Sequence, residues 1–144
     1  MHTLSPLSTL NSELITLNSA PSGANLTLTT YYIMYYVEKT LEISSCHQLY
    51  LDYESKCENL HGHNWIIKVY CKAKELDSNG LVCDFTLIKK LIHDRIDHKN
   101  LNEVLKFNPT AENIAHWVVE TVPNCYRADV WESRDNMASY VKDE

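Results

Sequence analysis

The stretch Cys57-Glu58-Asn59-Leu60-His61-Gly62-His63 sets a thiol close to two imidazoles and parts the imidazoles by a glycine. On an extended segment, positions i and i+2 project from the same side, so His61 and His63 can address one ligand. Gly62 lets the backbone approach closely there. Two imidazoles bind a metal weakly, whereas three with an open position form a catalytic zinc arrangement. His47 is the natural third donor. Alone, H-G-H is a weak signal, because a turn with two surface histidines reads the same way. Three histidines also suit iron, nickel or copper, and zinc is preferred only by commonness. Cys57 has two readings from its chemistry. As a fourth ligand it closes the site and makes the metal structural; as a free thiolate beside a cation it serves as base or nucleophile.

The elements that must position these groups are visible in the apolar pattern. Val37, Leu41 and Ile43 share one alternating face over Tyr35–Ser45, and Trp65, Ile67, Val69, Cys71 and Ala73 alternate with polar positions over Asn64–Glu75. These are two strands. Paired antiparallel, they return His47 to the side of His61 and His63. Asp77-Ser78-Asn79-Gly80 is a turn, followed by a short strand through Leu81, Val82 and Cys83. Asp84 then caps a helix with Phe85, Ile88, Leu91 and Ile92 at helical spacing. Thr110 caps a second, with Ile114, Trp117, Val118 and Thr121 on one face and Pro123-Asn124 beyond its end. Asp129–Trp131 and Met137–Val141 are strands joined by a polar turn. The pattern is an α+β domain, a four-stranded antiparallel sheet with two helices on one face, over 34–144. Residues 1–33, rich in Ser, Thr, Asn and Leu and without lysine or arginine, read as an irregular or disordered extension.

The chain has 144 residues, 44% of them hydrophobic, enough for one core, and a formal charge of -6. That charge argues against affinity built on nucleic-acid phosphates. No apolar run approaches the length of a membrane span and no secretory signal opens the chain, so the cytoplasm is the default expectation. The 5 cysteines form no C-x-x-C pair and read as mostly reduced and buried. Trp65, Trp117 and Trp131 are assigned to core or interface rather than to ligand stacking.

Taken in order, EKTLEISSCHQL with His47, CENLHGH, Asp84-Phe85-Thr86-Leu87-Ile88-Lys89, Asp97-His98 followed by Leu101-Asn102, Asn108-Pro109-Thr110-Ala111-Glu112-Asn113, and Trp131-Glu132-Ser133 resemble the 6-pyruvoyl-tetrahydropterin synthase and 6-carboxytetrahydropterin synthase family. The resemblance spans roughly 35–141. It implies the tunnelling fold, in which the sheets of several subunits close a trimeric barrel and two rings stack into a homohexamer with sites at the interfaces. It also implies Zn2+ held by His47, His61 and His63, and 7,8-dihydroneopterin triphosphate as substrate. By the same matching, Cys57 is the proton-abstracting thiolate, Asp97 and His98 are a proton relay, and Glu132 anchors the guanidine-like edge of the pterin with help from Thr110.

The three residues between Cys57 and His61 resemble the carboxy-forming branch of that family, a lyase of queuosine biosynthesis that releases 6-carboxy-5,6,7,8-tetrahydropterin, acetaldehyde and triphosphate. Two departures bear on this. Glu58 follows the cysteine directly, as a glutamate near this position does in relatives that resemble enzymes forming 6-hydroxymethyl-dihydropterin. Gln48 stands where an arginine commonly follows the metal histidine, which weakens binding of the triphosphate unless another cation such as Lys39, Lys56 or Lys68 compensates. A pyruvoyl-forming enzyme and a zinc- or pterin-binding protein without turnover are the other readings.

Overall fold

The computed structural model describes residues 14–15, 30–31 and 33–142. The first two segments, β1 (Leu14–Ile15) and β2 (Thr30–Tyr31), pair antiparallel with each other. They belong to a unit of their own, 1–34, and most of the irregular extension expected over 1–33 lies outside the described residues.

The second unit begins at Tyr35. Its first two strands, β3 (Tyr35–His47) and β4 (His61–Ala73), form a hairpin in unbroken register from Tyr35 opposite Ala73 to His47 opposite His61. Both run further toward the histidines than the apolar alternation alone required. The remaining strands, β5 (Cys125–Trp131) and β6 (Met137–Val141), complete an antiparallel sheet in the order β3-β4-β5-β6. The expected four-stranded sheet is therefore present.

One face of the sheet is apolar because the alternation is strict. Ile43, Trp65, Ile67, Val69, Ala128 and Val130 are all buried on that side. The helices α1 (Phe85–Leu91), α2 (His93–Ile96), α3 (Leu101–Val104) and α4 (Ala111–Thr121) pack onto it through Ile88, Ile92, Ile96, Leu101, Ile114 and Val118. Complete burial of each such side chain contributes about 1.5–3 kcal/mol before conformational entropy is subtracted. The other face is polar and aromatic, carrying Glu38, Lys68, Tyr70, Arg127, Asp129 and Trp131.

Three details depart from the expected elements. Leu81–Cys83 is not a strand; Asp77 Oδ1 accepts the Asn79 and Leu81 amides at 2.8 and 2.9 Å, and Asn124 Nδ2 donates to Val82 O at 2.8 Å. Side-chain bonds thus hold this segment where a ladder was anticipated, while Val82 still reaches the core. The helix begun at Asp84, whose carboxylate accepts the Thr86 amide at 2.7 Å, is interrupted at Ile92 and resumes as α2. The short α3, capped by Asn100, had no counterpart in the apolar pattern. All 5 cysteines are free. Cys71, Cys83 and Cys125 are buried, whereas Cys46 and Cys57 are only half-buried. Trp65 lies in the core, and Trp117 and Trp131 are partly buried beneath Arg95 and Lys68 respectively.

Candidate metal centre

The β3–β4 register puts His47 directly across from His61, and the period of the strand puts His63 on the same face one pleat on. The Nε2 atoms of His47 and His61 are 3.1 Å apart. His47 is fully buried, and its Nδ1 lies 2.8 Å from Pro109 O; His61 Nδ1 lies 2.7 Å from Asn59 O. A carbonyl only accepts, so both Nδ1 atoms must carry the proton. Each Nε2 then presents a lone pair to the other.

Glu132 joins this cluster from the end of β5, its backbone held by a bond from its N–H to Asn136 O at 3.1 Å. Its Oε1 is 3.2 Å from His47 Nε2 and 3.3 Å from His63 Nε2. His63 Nε2 is buried and completes no hydrogen bond, the 3.3 Å approach to Glu132 lacking the alignment for one. One donor atom from each of His47, His61, His63 and Glu132 lies within 4.8 Å of the others.

This donor set fits a divalent metal ion. Ligands about 2.0–2.1 Å from a tetrahedral ion are separated from one another by about 3.3 Å, close to the spacings found here. Burial, the largest influence, pushes the His47 and His63 imidazoles below their ordinary range, which keeps them neutral and able to donate. Lone pairs and a carboxylate converging without a proton between them repel unless a cation lies among them.

Cys57 is not among the converging atoms. It sits in a short 3-10 turn (Lys56–Glu58) whose N-cap is Ser55. Ser55 Oγ accepts the Cys57 amide at 3.2 Å, and Glu58 Oε2 accepts the Ser55 amide at 3.1 Å. The Ser55-x-x-Glu58 spacing is a capping box visible in the sequence, and the Glu58 carboxylate is turned back onto it. Thr110 caps α4, its Oγ1 accepting the Asn113 amide at 3.2 Å. Asn108 exchanges two bonds with the Tyr50 backbone, at 3.0 and 2.9 Å, and so sets Pro109 beneath His47. The carbonyls of Asn59 and Pro109 orient two of the imidazoles; side-chain identity carries no signal for such a role.

Asp97 and His98 lie elsewhere. Asp97 Oδ1 accepts the Ser44 amide at 3.0 Å, His98 N–H donates to Ser44 O at 2.7 Å, and Cys46 N–H donates to Lys99 O at 3.1 Å, so the segment straps the edge strand β3. The Ser44 amide, with help from His98 and His93, holds the Asp97 carboxyl below its usual range. The His98 side chain is 80% exposed, 3.7 Å from Asp97 Oδ2, on a backbone of φ 52. Among the described residues, no hydrogen bond or ion pair joins it to Cys57 or to the metal cluster. It borders an open depression of about 510 Å³ that is also lined by Ser44, Gly62, Asn64 and His63 of the cluster. At Gly62 a Cβ would meet only ordinary contacts, the nearest 3.6 Å away, so the close approach expected there is not required within the protomer. A separate pocket of about 300 Å³ is lined by Thr110, Ala111, Glu112, Glu132 and Asn136.

The family model described as 6-pyruvoyl tetrahydropterin synthase matches residues 36–143. The chain belongs to the 6-pyruvoyl tetrahydropterin synthase family. It is 31% identical to the 6-carboxy-5,6,7,8-tetrahydropterin synthase of Synechocystis, over 74% of this chain and 93% of that protein. It is 26% identical to the Bacillus subtilis protein of the same name, over 72% and 83%. A shorter match, 37% identical over 51% of this chain and 64% of the relative, is to the dihydroneopterin monophosphate aldolase of Pyrococcus furiosus. The solved 6-pyruvoyl tetrahydropterin synthase of Caenorhabditis elegans superposes with a TM-score of 0.63 at 26% identity, over 80% of this chain and 100% of that one. Like its relatives in the 6-pyruvoyl tetrahydropterin synthase family, this chain is an enzyme of lyase type. Among its described residues no helix is long and apolar enough to cross a membrane.

Proposed function

We propose that this chain is a zinc-dependent 6-carboxy-5,6,7,8-tetrahydropterin synthase, converting 7,8-dihydroneopterin triphosphate to the carboxypterin, acetaldehyde and triphosphate on the route to queuosine. The observation that carries the reading is the convergence of the His47, His61 and His63 imidazoles, with Glu132 beside them, while the Cys57 thiol stays off the cluster. A divalent cation held there supplies a Lewis acid for the side-chain oxygens of the pterin. Three neutral ligands leave its charge intact, and a thiolate ligand would diminish it.

The chain's own groups divide the remaining work. Cys57, on its capped turn, takes the proton from the hydroxyl-bearing carbon of the substrate side chain. Glu132, with Thr110, receives the 2-amino and ring N–H edge of the pterin, a carboxylate accepting two parallel bonds as it does from arginine. Asp97, with Oδ2 3.7 Å from the His98 ring, pairs with it as the relay that returns a proton to the product. The exposure of His98, with no hydrogen bond or ion pair to the cluster among the described residues, favours a relay that serves the site of a neighbouring subunit. An open sheet with a polar and aromatic uncovered face supports the barrel-forming hexamer as the assembly in which this occurs.

The similarity to a dihydroneopterin monophosphate aldolase keeps a hydroxymethylpterin product as the second reading. Against it stands the Glu58 carboxylate, which is engaged in capping rather than directed toward a ligand. Product identification tests the proposal. Zinc-loaded protein incubated with 7,8-dihydroneopterin triphosphate is expected to give acetaldehyde and the carboxypterin. Hydroxymethylpterin or pyruvoylpterin would replace this reading with another of the family, and unchanged substrate would remove catalysis altogether.

A further inference from the structure

We propose that Glu132 is the fourth ligand of the metal in the pterin-free protein, and that the pterin edge opens the coordination sphere by drawing the carboxylate away. The opening half of the inference rests on the pterin-binding reading of Glu132 given above; the closing half does not.

The geometry around Glu132 Oε1 supports closure. It lies 3.2 Å from His47 Nε2 and 3.3 Å from His63 Nε2, beside the 3.1 Å between His47 and His61. These are the separations of donors sharing one small ion. His47 Nδ1 is engaged by Pro109 O, so the ring turns its Nε2 toward Glu132 Oε1 and toward the His61 and His63 rings. A carboxylate oxygen placed there stands where a fourth ligand to a shared ion would stand.

The same side chain is reachable from outside. Glu132 lines the 300 Å³ pocket with Thr110 and Asn136 and is 24% exposed. Its backbone is pinned to Asn136 O at 3.1 Å, so movement falls to the side-chain torsions rather than to β5. Two parallel bonds to a pterin occupy both carboxylate oxygens. Metal ligation and pterin recognition therefore compete for one group. An empty pocket leaves the ion closed to water and stray anions, and a filled pocket exposes one coordination position beside the bound side chain.

The test uses Co2+ in place of the native metal, because its visible absorption reports coordination without any turnover. Wild type, Glu132→Gln and Glu132→Ala are loaded with Co2+, and stoichiometry, affinity and spectrum are recorded. Both variants are expected to bind one ion at least about tenfold more weakly, with altered band positions and intensities. A variant spectrum and affinity identical to wild type would overturn closure. Pterin lacking any 6-substituent is then added, since it offers the recognition edge and no side-chain oxygen for the metal. Binding, read by pterin fluorescence, is expected to shift the wild-type spectrum toward that of Glu132→Gln. Binding with an unchanged spectrum would overturn the exchange while sparing the pterin reading. Absence of binding would refute the exchange together with that reading, leaving closure to stand on the variant spectra.

Discussion

His47 and His61 face each other across the β3–β4 ladder with ring nitrogens 3.1 Å apart, and each is locked by a backbone carbonyl on its far side into the tautomer that leaves those nitrogens unprotonated. Such a pair stores ligand capacity in the backbone register itself. Removing either ring removes the site, while changing a nearby group that is not part of the register does not.

Cys57→Ala is therefore expected to retain one metal ion per chain and to lose turnover by about 10²-fold or more, the scale of a lost general base. His61→Ala is expected to lose metal and turnover together. Metal analysis beside product assays checks both, and a metal-free Cys57→Ala protein would make the thiol a ligand.

Glu58 provides the contrary case. Its carboxylate closes a capping box on Ser55, so Glu58→Ala should cost about 1 kcal/mol or less of stability, on the scale of a lost cap. Product identity should stay the same. Denaturant unfolding measures the first and chromatography of the products the second; a changed product would place the carboxylate in the chemistry.

The exposed relay invites complementation. If His98 serves a neighbour's Cys57, mixing unfolded Cys57→Ala and His98→Ala chains and refolding them together should restore about a quarter of the sites, because random assembly brings the two intact partners together that often. Each variant refolded alone should stay inactive. A mixture no more active than its parents would confine the relay to one chain.

On the uncovered sheet face, the buried Asp129 carboxylate is paired with a partly exposed Arg127, and the pair is expected to contribute to acid stability. Arg127 donates twice to Asp129, at 2.9 and 2.8 Å, and Ser139 Oγ donates to it at 2.6 Å. Burial pushes the Asp129 carboxyl up, but the bonds from Arg127, Ser139 and Tyr70 outweigh it and leave the group below its usual range. The same contact, after burial itself, pushes the Tyr70 hydroxyl up to about 12. A folded value below the unfolded one means that Asp129 contributes its stability fully above pH ~3.9 and loses it as pH falls through the folded value. Asp129→Asn should cost about 2 kcal/mol at pH 7 and flatten the decline in stability below pH ~4. Denaturant midpoints across that range test this, and parallel curves for the two proteins would contradict it.

Much of this arrangement is legible from residue order. The alternation from Trp65 to Ala73 fixes a strand and its buried face, and pairing it with the alternation of Val37, Leu41 and Ile43 carries the histidines into one place. Ser55 and Glu58 announce their cap by spacing alone. The segment Leu81–Cys83 misleads because its apolar letters fit a strand while Asp77 and Asn124 hold its backbone by side chains from outside the stretch. Glu132 is harder for a different reason. Its position depends on β5 pairing with β4 in the register that sets Trp131 opposite Ile66, and neither strand's apolar pattern states that register. His98 is readable as a residue beside Asp97, but not its attachment to β3 through Ser44, because that is set by which edge of the sheet the 97–102 segment covers.

The carbonyl beneath His47 comes from Pro109, 62 residues further along the chain. A fragment ending with β4 would carry all three imidazoles but lack the acceptor that fixes the His47 tautomer, so a correctly aimed ring requires the start of α4 to be docked beneath it.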